Sequence, residues 1–147
     1  MRTFHGSCHC GAVRYEADID LAAGTVKCNC SICTKLRFWA CVIAPAAFRL
    51  LQGQETLRDY RFGARRDGHA FCSVCGVHIF TTVAAGPFVA VTVASLDDLP
   101  VDALMAAPVR YIDGRNDNWD TAPAEVRHLQ VGQQRVIISH KKSRRSR

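Results

Sequence analysis

Apolar and polar positions alternate with a period of two in short stretches along this chain, and those stretches set the expected elements. Val13-Arg14-Tyr15-Glu16 has the pattern of a strand with one face in a core. Phe38-Trp39-Ala40-Cys41-Val42-Ile43 is an aromatic and β-branched run that stops at Pro45, and residues 56–62 alternate again. Residues 77–83 and 88–94 are two further runs around Ala84-Ala85-Gly86-Pro87, which predicts a hairpin. A last strand is expected at residues 135–139. Helical periodicity is scarce: one turn at residues 44–48 and a short helix at 101–105. Residues 113–126, rich in Asp, Asn and Gly, read as an ordered loop. Strands of this length between turn residues predict a mainly β fold, a single domain over residues 1–140.

Charge changes that picture only at one end. Of the 19 lysines and arginines, five lie in residues 141–147, and the other 14 face 13 acidic residues. The net charge of +6 therefore belongs to a basic tail, expected to be disordered and solvated. Nucleic acid is expected to bind only weakly, through that tail. No apolar run approaches the roughly 18 residues that cross a bilayer, so no membrane partner is expected. Residues 1–6 lack an apolar signal core, which points to the cytoplasm, where thiols stay reduced.

Eight cysteines in such a compartment point to metal before disulfides. Cys8-His9-Cys10-Gly11 is a CxCG, Cys72-Ser73-Val74-Cys75-Gly76 a CxxCG, and Cys28-Asn29-Cys30-Ser31-Ile32-Cys33 a CxCxxC. Two cysteines so spaced turn both sulfurs to one ion when the backbone bends tightly, and a following glycine lets amides reach the thiolates. Structural zinc takes four tetrahedral ligands, which Cys8, Cys10, Cys72 and Cys75 supply together. An ion there would close a long loop and join the first strand to the middle of the sheet. The CxCxxC offers three thiolates, the ligand count of a catalytic zinc with one open position. Cys41, inside an apolar run, is expected in the core, although a fourth thiolate there would close the middle site. His9, His69 and His78 are expected beside the ligands or in solvent, with His78 turned away from the side on which Val77 and Ile79 pack.

The sequence around these clusters, from Gly6-Ser7-Cys8-His9-Cys10-Gly11 through Phe71-Cys72-Ser73-Val74-Cys75-Gly76, resembles the glutathione-dependent formaldehyde-activating enzyme family, also called the centromere protein V family. Asp113-Gly114-Arg115-Asn116 with Trp119 resembles its late segment, and Asp117-Asn118 lengthens that loop beyond the usual pattern. The resemblance implies a zinc-stapled β-sheet fold like that of methionine sulfoxide reductase B and the Rab-associated zinc chaperone. It implies two zinc ions per chain, one structural on Cys8, Cys10, Cys72 and Cys75, one catalytic on Cys28, Cys30 and Cys33. The activity it implies is carbon–sulfur lyase chemistry on glutathione and formaldehyde, giving S-(hydroxymethyl)glutathione, or on a related small thiol and small aldehyde. Lys35 and Arg37 have charge suited to a ligand carboxylate, yet solvated surface is the expected place of both. The alternative class is a non-enzymatic zinc module that binds protein or nucleic acid, against which the near-neutral body weighs.

Overall fold

Ten strands and two short helices make up the described part of the chain, which in this computed structural model comprises residues 1–63, 67–83 and 86–130. The expected strand at 135–139 and the tail at 141–147 lie outside the described residues. In order, the strands are β1 (Arg2–Ser7), β2 (Arg14–Ile19), β3 (Thr25–Cys28), β4 (Trp39–Ile43) and β5 (Phe48–Gln52). They continue with β6 (Leu57–Tyr60), β7 (Gly68–Cys72), β8 (His78–Val83), β9 (Phe88–Thr92) and β10 (Val109–Ile112). Helix α1 (Ser31–Leu36) follows β3, and α2 (Val101–Ala106) precedes β10. The fold is mainly β, as the alternation predicts.

Two sheets share these strands. One is three-stranded, in the order β1-β2-β5; the other is seven-stranded, in the order β10-β3-β4-β9-β8-β7-β6. Phe4, Tyr15, Ala17 and Ile19 of the small sheet bury against Cys41, Ile43, Val89 and Val91 of the large one. Tyr15 is fully buried, and its hydroxyl shares a 2.6 Å hydrogen bond with Ser95, so the phenol is not left unsatisfied in the core. The same ring lies over Gly6, where an added Cβ would come within 2.1 Å of it. The expected hairpin is present: β8 and β9 pair antiparallel, with Val83 opposite Phe88.

The large sheet has a second covered face. Register places His69, Thr81, Ala90 and Val42 in one row across β7, β8, β9 and β4. The neighbouring row, Ala70, Phe80, Val91 and Cys41, lies one residue along and so points to the opposite face. A smaller apolar cluster of Val26, Phe38, Ala40 and Ala90 packs around Cys28, Cys30 and Cys33. Between described strands, β3 and β10 form the one parallel pair, with Ile112 opposite Cys28. The segments that follow β3 and β10 therefore leave the sheet side by side at the same end.

Candidate metal centres

Cys8 and Cys10 sit in the turn between β1 and β2; Cys72 ends β7 and Cys75 lies in the turn that leads to β8. The two turns are built alike. The Cys8 amide donates to the Val13 carbonyl at 3.1 Å and the Cys72 amide to the Val77 carbonyl at 3.0 Å. Gly11 and Gly76 take the left-handed φ of 74° and 75° that closes each turn, the role their place after the cysteines suggests. All four sulfurs lie within 4.8 Å of one another, with Cys8 to Cys10 at 3.5 Å and Cys10 to Cys72 at 3.8 Å. A tetrahedron with metal–sulfur bonds of about 2.3 Å has edges of about 3.8 Å, so the cradle fits zinc. Backbone amides of Val77 and Cys10 lower the Cys75 thiol to about 6, which favours the thiolate a metal needs. The strands so joined belong to different sheets: this cluster ties the small sheet to the large one, where the sequence suggested a link within one sheet.

The second cluster lies at the end of the parallel pair. Cys28 ends β3, Cys30 precedes α1, and Cys33 is on the first turn of that helix; all three are buried and their sulfurs lie within 4.8 Å of one another. The thiols of Cys28 and Cys33 donate toward Cys30, which holds the Cys30 thiol far below its ordinary value. Cys33, the donor to both of its neighbours, is pushed well above its own. This group comprises three cysteines. Cys41 is in the main core with 1% exposure, on the row that points to the other face of the sheet, and burial raises its thiol to about 11. It is the core residue expected from its apolar neighbours.

A contact network that sequence reasoning missed holds this cluster in place. Asn29, buried between two of the cysteines, donates to an Asp113 carboxylate oxygen at 2.7 Å and accepts from the Arg115 amide at 2.9 Å. Asp113 also accepts from the Asn116 side chain at 2.8 Å; donation from Asn29 and Asn116 holds its carboxyl below the usual range. The late loop is thereby pressed onto the sulfurs. An added Cβ at Gly114 would lie 2.8 Å from the Cys28 sulfur, 2.9 Å from the Trp119 ring and 3.0 Å from the Cys30 Cβ. Within that loop Asp117 turns left-handed with φ 59°, the Asn118 amide returns to the Asp113 carbonyl, and the Trp119 indole donates to Asp117 at 2.9 Å.

Above the three cysteines opens a cavity of about 400 Å³, lined in part by Phe38, Phe62, His69, Thr81, Phe88 and Trp119. His69 and His78 both share hydrogen bonds with the Thr81 hydroxyl, and His78 shares a second, of 2.8 Å, with Thr92. Burial lowers both histidines, and in His78 the neighbouring His69 adds to the effect, bringing it to about 4. His9, Lys35 and Arg37 are exposed. Arg37 and Lys27 line a separate hollow on the far side of Cys33, where the buried Lys27 ammonium sits 4.1 Å over the Trp39 ring and donates to the Leu129 carbonyl.

A small β protein with two cysteine clusters able to hold metal ions is the class that fold and sites define. The chain belongs to the glutathione-dependent formaldehyde-activating enzyme family, whose model matches residues 3–112. It is also similar to a crystal structure of a Rhodobacter sphaeroides protein, with 31% identity and a TM-score of 0.64. That similarity covers 72% of this chain and 99% of the other. No helix among the described residues is long and apolar enough to cross a membrane.

Proposed function

We propose that this protein is a zinc-dependent enzyme of the carbon–sulfur lyase type, working in the cytoplasm on an adduct of a small thiol and a small aldehyde. Glutathione and formaldehyde, joined as S-(hydroxymethyl)glutathione, are the pair the family name suggests. The observation that carries the reading is the cradle of Cys28, Cys30 and Cys33 opening on a cavity, while four other cysteines gather at a separate position. In this reading Cys8, Cys10, Cys72 and Cys75 hold a structural zinc, and Cys28, Cys30 and Cys33 hold the reactive one. Zinc with three thiolate ligands supplies a Lewis-acid position that accepts a substrate sulfur as thiolate.

The chain's own residues do the rest. Asn29 and Asp113 fix the loop that carries the cysteines, and Gly114 lets the late loop close over them. Phe38 and Trp119 narrow the approach of water. His69, held by Thr81, presents an imidazole to the cavity within reach of a hydroxyl or carbonyl oxygen there. Thiols add to aldehydes unaided in water, so holding the two partners in line is most of the work required. Calorimetry of the zinc-loaded protein with glutathione, in two buffers of different ionisation enthalpy, tests the reading. Binding with release of a proton, and much weaker binding of S-methylglutathione, is expected. Equal affinity for the methylated compound would refute it.

A further inference from the structure

Strand β8 carries a bulge beside the cavity above the middle cluster. Ala70 pairs with Phe80 but Phe71 pairs with His78, so Ile79 is the extra residue. Strict alternation would put His78 and Thr81, three positions apart, on opposite faces. The bulge sends Ile79 into the main core next to Phe80 and brings His78 to the face that Thr81 shares with His69. There the side chains join. Thr81 shares hydrogen bonds of 3.2 Å with His69 Nδ1 and 3.3 Å with His78 Nε2, and His78 Nδ1 shares one of 2.8 Å with Thr92. His69 is 6% exposed and lines the cavity, its ring stacked on Phe62 at 5.9 Å. Among the described residues no buried side-chain nitrogen or oxygen lacks a partner, so His69 Nε2, with its bond made at the other nitrogen, keeps an opening to the cavity.

A single hydroxyl proton between two imidazoles couples them. Burial lowers the basicity of both rings, so each carries one proton near neutrality. When His78 holds its proton on Nδ1, against Thr92, its Nε2 accepts from Thr81, and the Thr81 oxygen accepts from His69 Nδ1–H. His69 Nε2 then offers the cavity a lone pair. When His78 holds its proton on Nε2, every bond reverses and His69 offers an N–H instead. The two rings therefore carry their protons on the same-named nitrogen.

On the lyase reading above, we propose that His69 moves the proton of the substrate oxygen and that His78, through Thr81, is the positioning residue that sets the tautomer in which His69 does so. With a thiol–aldehyde adduct in the cavity, His69 Nε2 takes the hydroxyl proton and the freed electron pair on oxygen forms the carbonyl. The carbon–sulfur bond breaks, its electron pair leaves with the sulfur, and the proton on His69 passes to water. Addition runs the same steps backwards.

The test uses the full-length, zinc-loaded chain. Nitrogen-15 NMR of the imidazoles reads the tautomers, and both rings should be protonated on the same-named nitrogen. Exchange spectroscopy of glutathione with formaldehyde reads the rate of adduct turnover. His69→Gln should lower kcat about a hundredfold. Thr81→Val and His78→Phe should each lower it about tenfold with KM held, the equivalent of one lost hydrogen bond, and Thr81→Ser should keep the parent rate. Opposite-named tautomers in the parent, or a kcat unmoved by both Thr81→Val and His78→Phe, overturns the proposal. A parent that speeds the exchange while His69→Gln keeps its full rate refutes the proposal and leaves the lyase reading standing. A parent that does not speed the exchange refutes that reading and the proposal with it.

Discussion

Replacing Gly114 with alanine asks whether the late loop sets the shape of the middle cysteine cluster. Gly114 does not use the left-handed region, so backbone strain plays no part and the new methyl group alone decides the outcome. Its Cβ would meet three atoms at once, the Cys28 sulfur at 2.8 Å, the Trp119 ring at 2.9 Å and the Cys30 Cβ at 3.0 Å. Two of these belong to the metal cradle and cannot move without changing its geometry. Inserting one methylene into a packed site typically costs about 1–3 kcal/mol. If the loop yields, Asp113 and Asn29 lose their 2.7 Å bond and stability falls. If the sulfurs yield, the same energy appears as weaker metal binding, roughly fivefold to a hundredfold. Competition with a chromophoric chelator reads the two sites separately. The middle site should release its ion earlier, with the Cys8, Cys10, Cys72 and Cys75 site unchanged. Unaltered release from both sites, together with an unaltered melting temperature, would refute the argument.

Cys8→Ser should give unfolded or insoluble protein, because that cluster joins the two sheets, whereas Cys30→Ser should stay folded with one metal ion fewer by elemental analysis; equal collapse of both variants would mean the sites share the same work. Cys41→Ala should keep its full metal content and lose about 1 kcal/mol in a denaturant melt, and loss of an ion would make Cys41 a ligand. His78, lowered to about 4 by burial and by His69, binds a proton more readily in the unfolded chain. Its contribution to stability is therefore complete above about pH 6.5 and is lost as pH falls toward 4. His78→Gln should show a shallower loss of stability between pH 7 and 5 than the parent, the acid release of metal being common to both; parallel curves would refute it.

How far the sequence could be read depended on how local each signal was. The three cysteine clusters were legible because spacing and the glycines at 11 and 76 encode the turns within a few residues. Strands β4, β8 and β9 were legible as apolar runs, and β2 as an alternation. Strand β1 escaped because Phe4 is its only large apolar residue, and Gly6 faces inward beneath the Tyr15 ring. Strand β3 escaped for the opposite reason: all four of its residues are buried, Thr25 and Lys27 included, so no alternation exists to be read. Lys27 satisfies its charge against Trp39 and the Leu129 carbonyl, partners far from it in sequence. The bond from Asn29 to Asp113 spans 84 positions, and no local pattern announces it.

That bond also explains why the middle cluster sits where it does. Cys28 and Ile112 are opposite one another in a parallel pair, so the segments that follow them start at the same edge of the sheet. Asn29 and Cys30 come from one segment, Asp113 and Gly114 from the other, and each is within a residue or two of its strand end. In an antiparallel pair, residues after Ile112 would leave at the far end of β3, roughly 10 Å away for a strand of this length, and could not close over the sulfurs. Parallel strands need a long connection, and the chain supplies one through β4 to β9 and α2 before it returns as β10. The middle cluster is therefore complete only once the seven-stranded sheet has closed around it. The four-cysteine cluster has the reverse order of dependence, since an ion held there would draw the two sheets together. Metal loading in the folding chain should then be ordered, the Cys8, Cys10, Cys72 and Cys75 site first. Refolding with one equivalent of cobalt, whose absorption distinguishes a four-thiolate from a three-thiolate site, would report that order, and equal early occupancy of both would refute it.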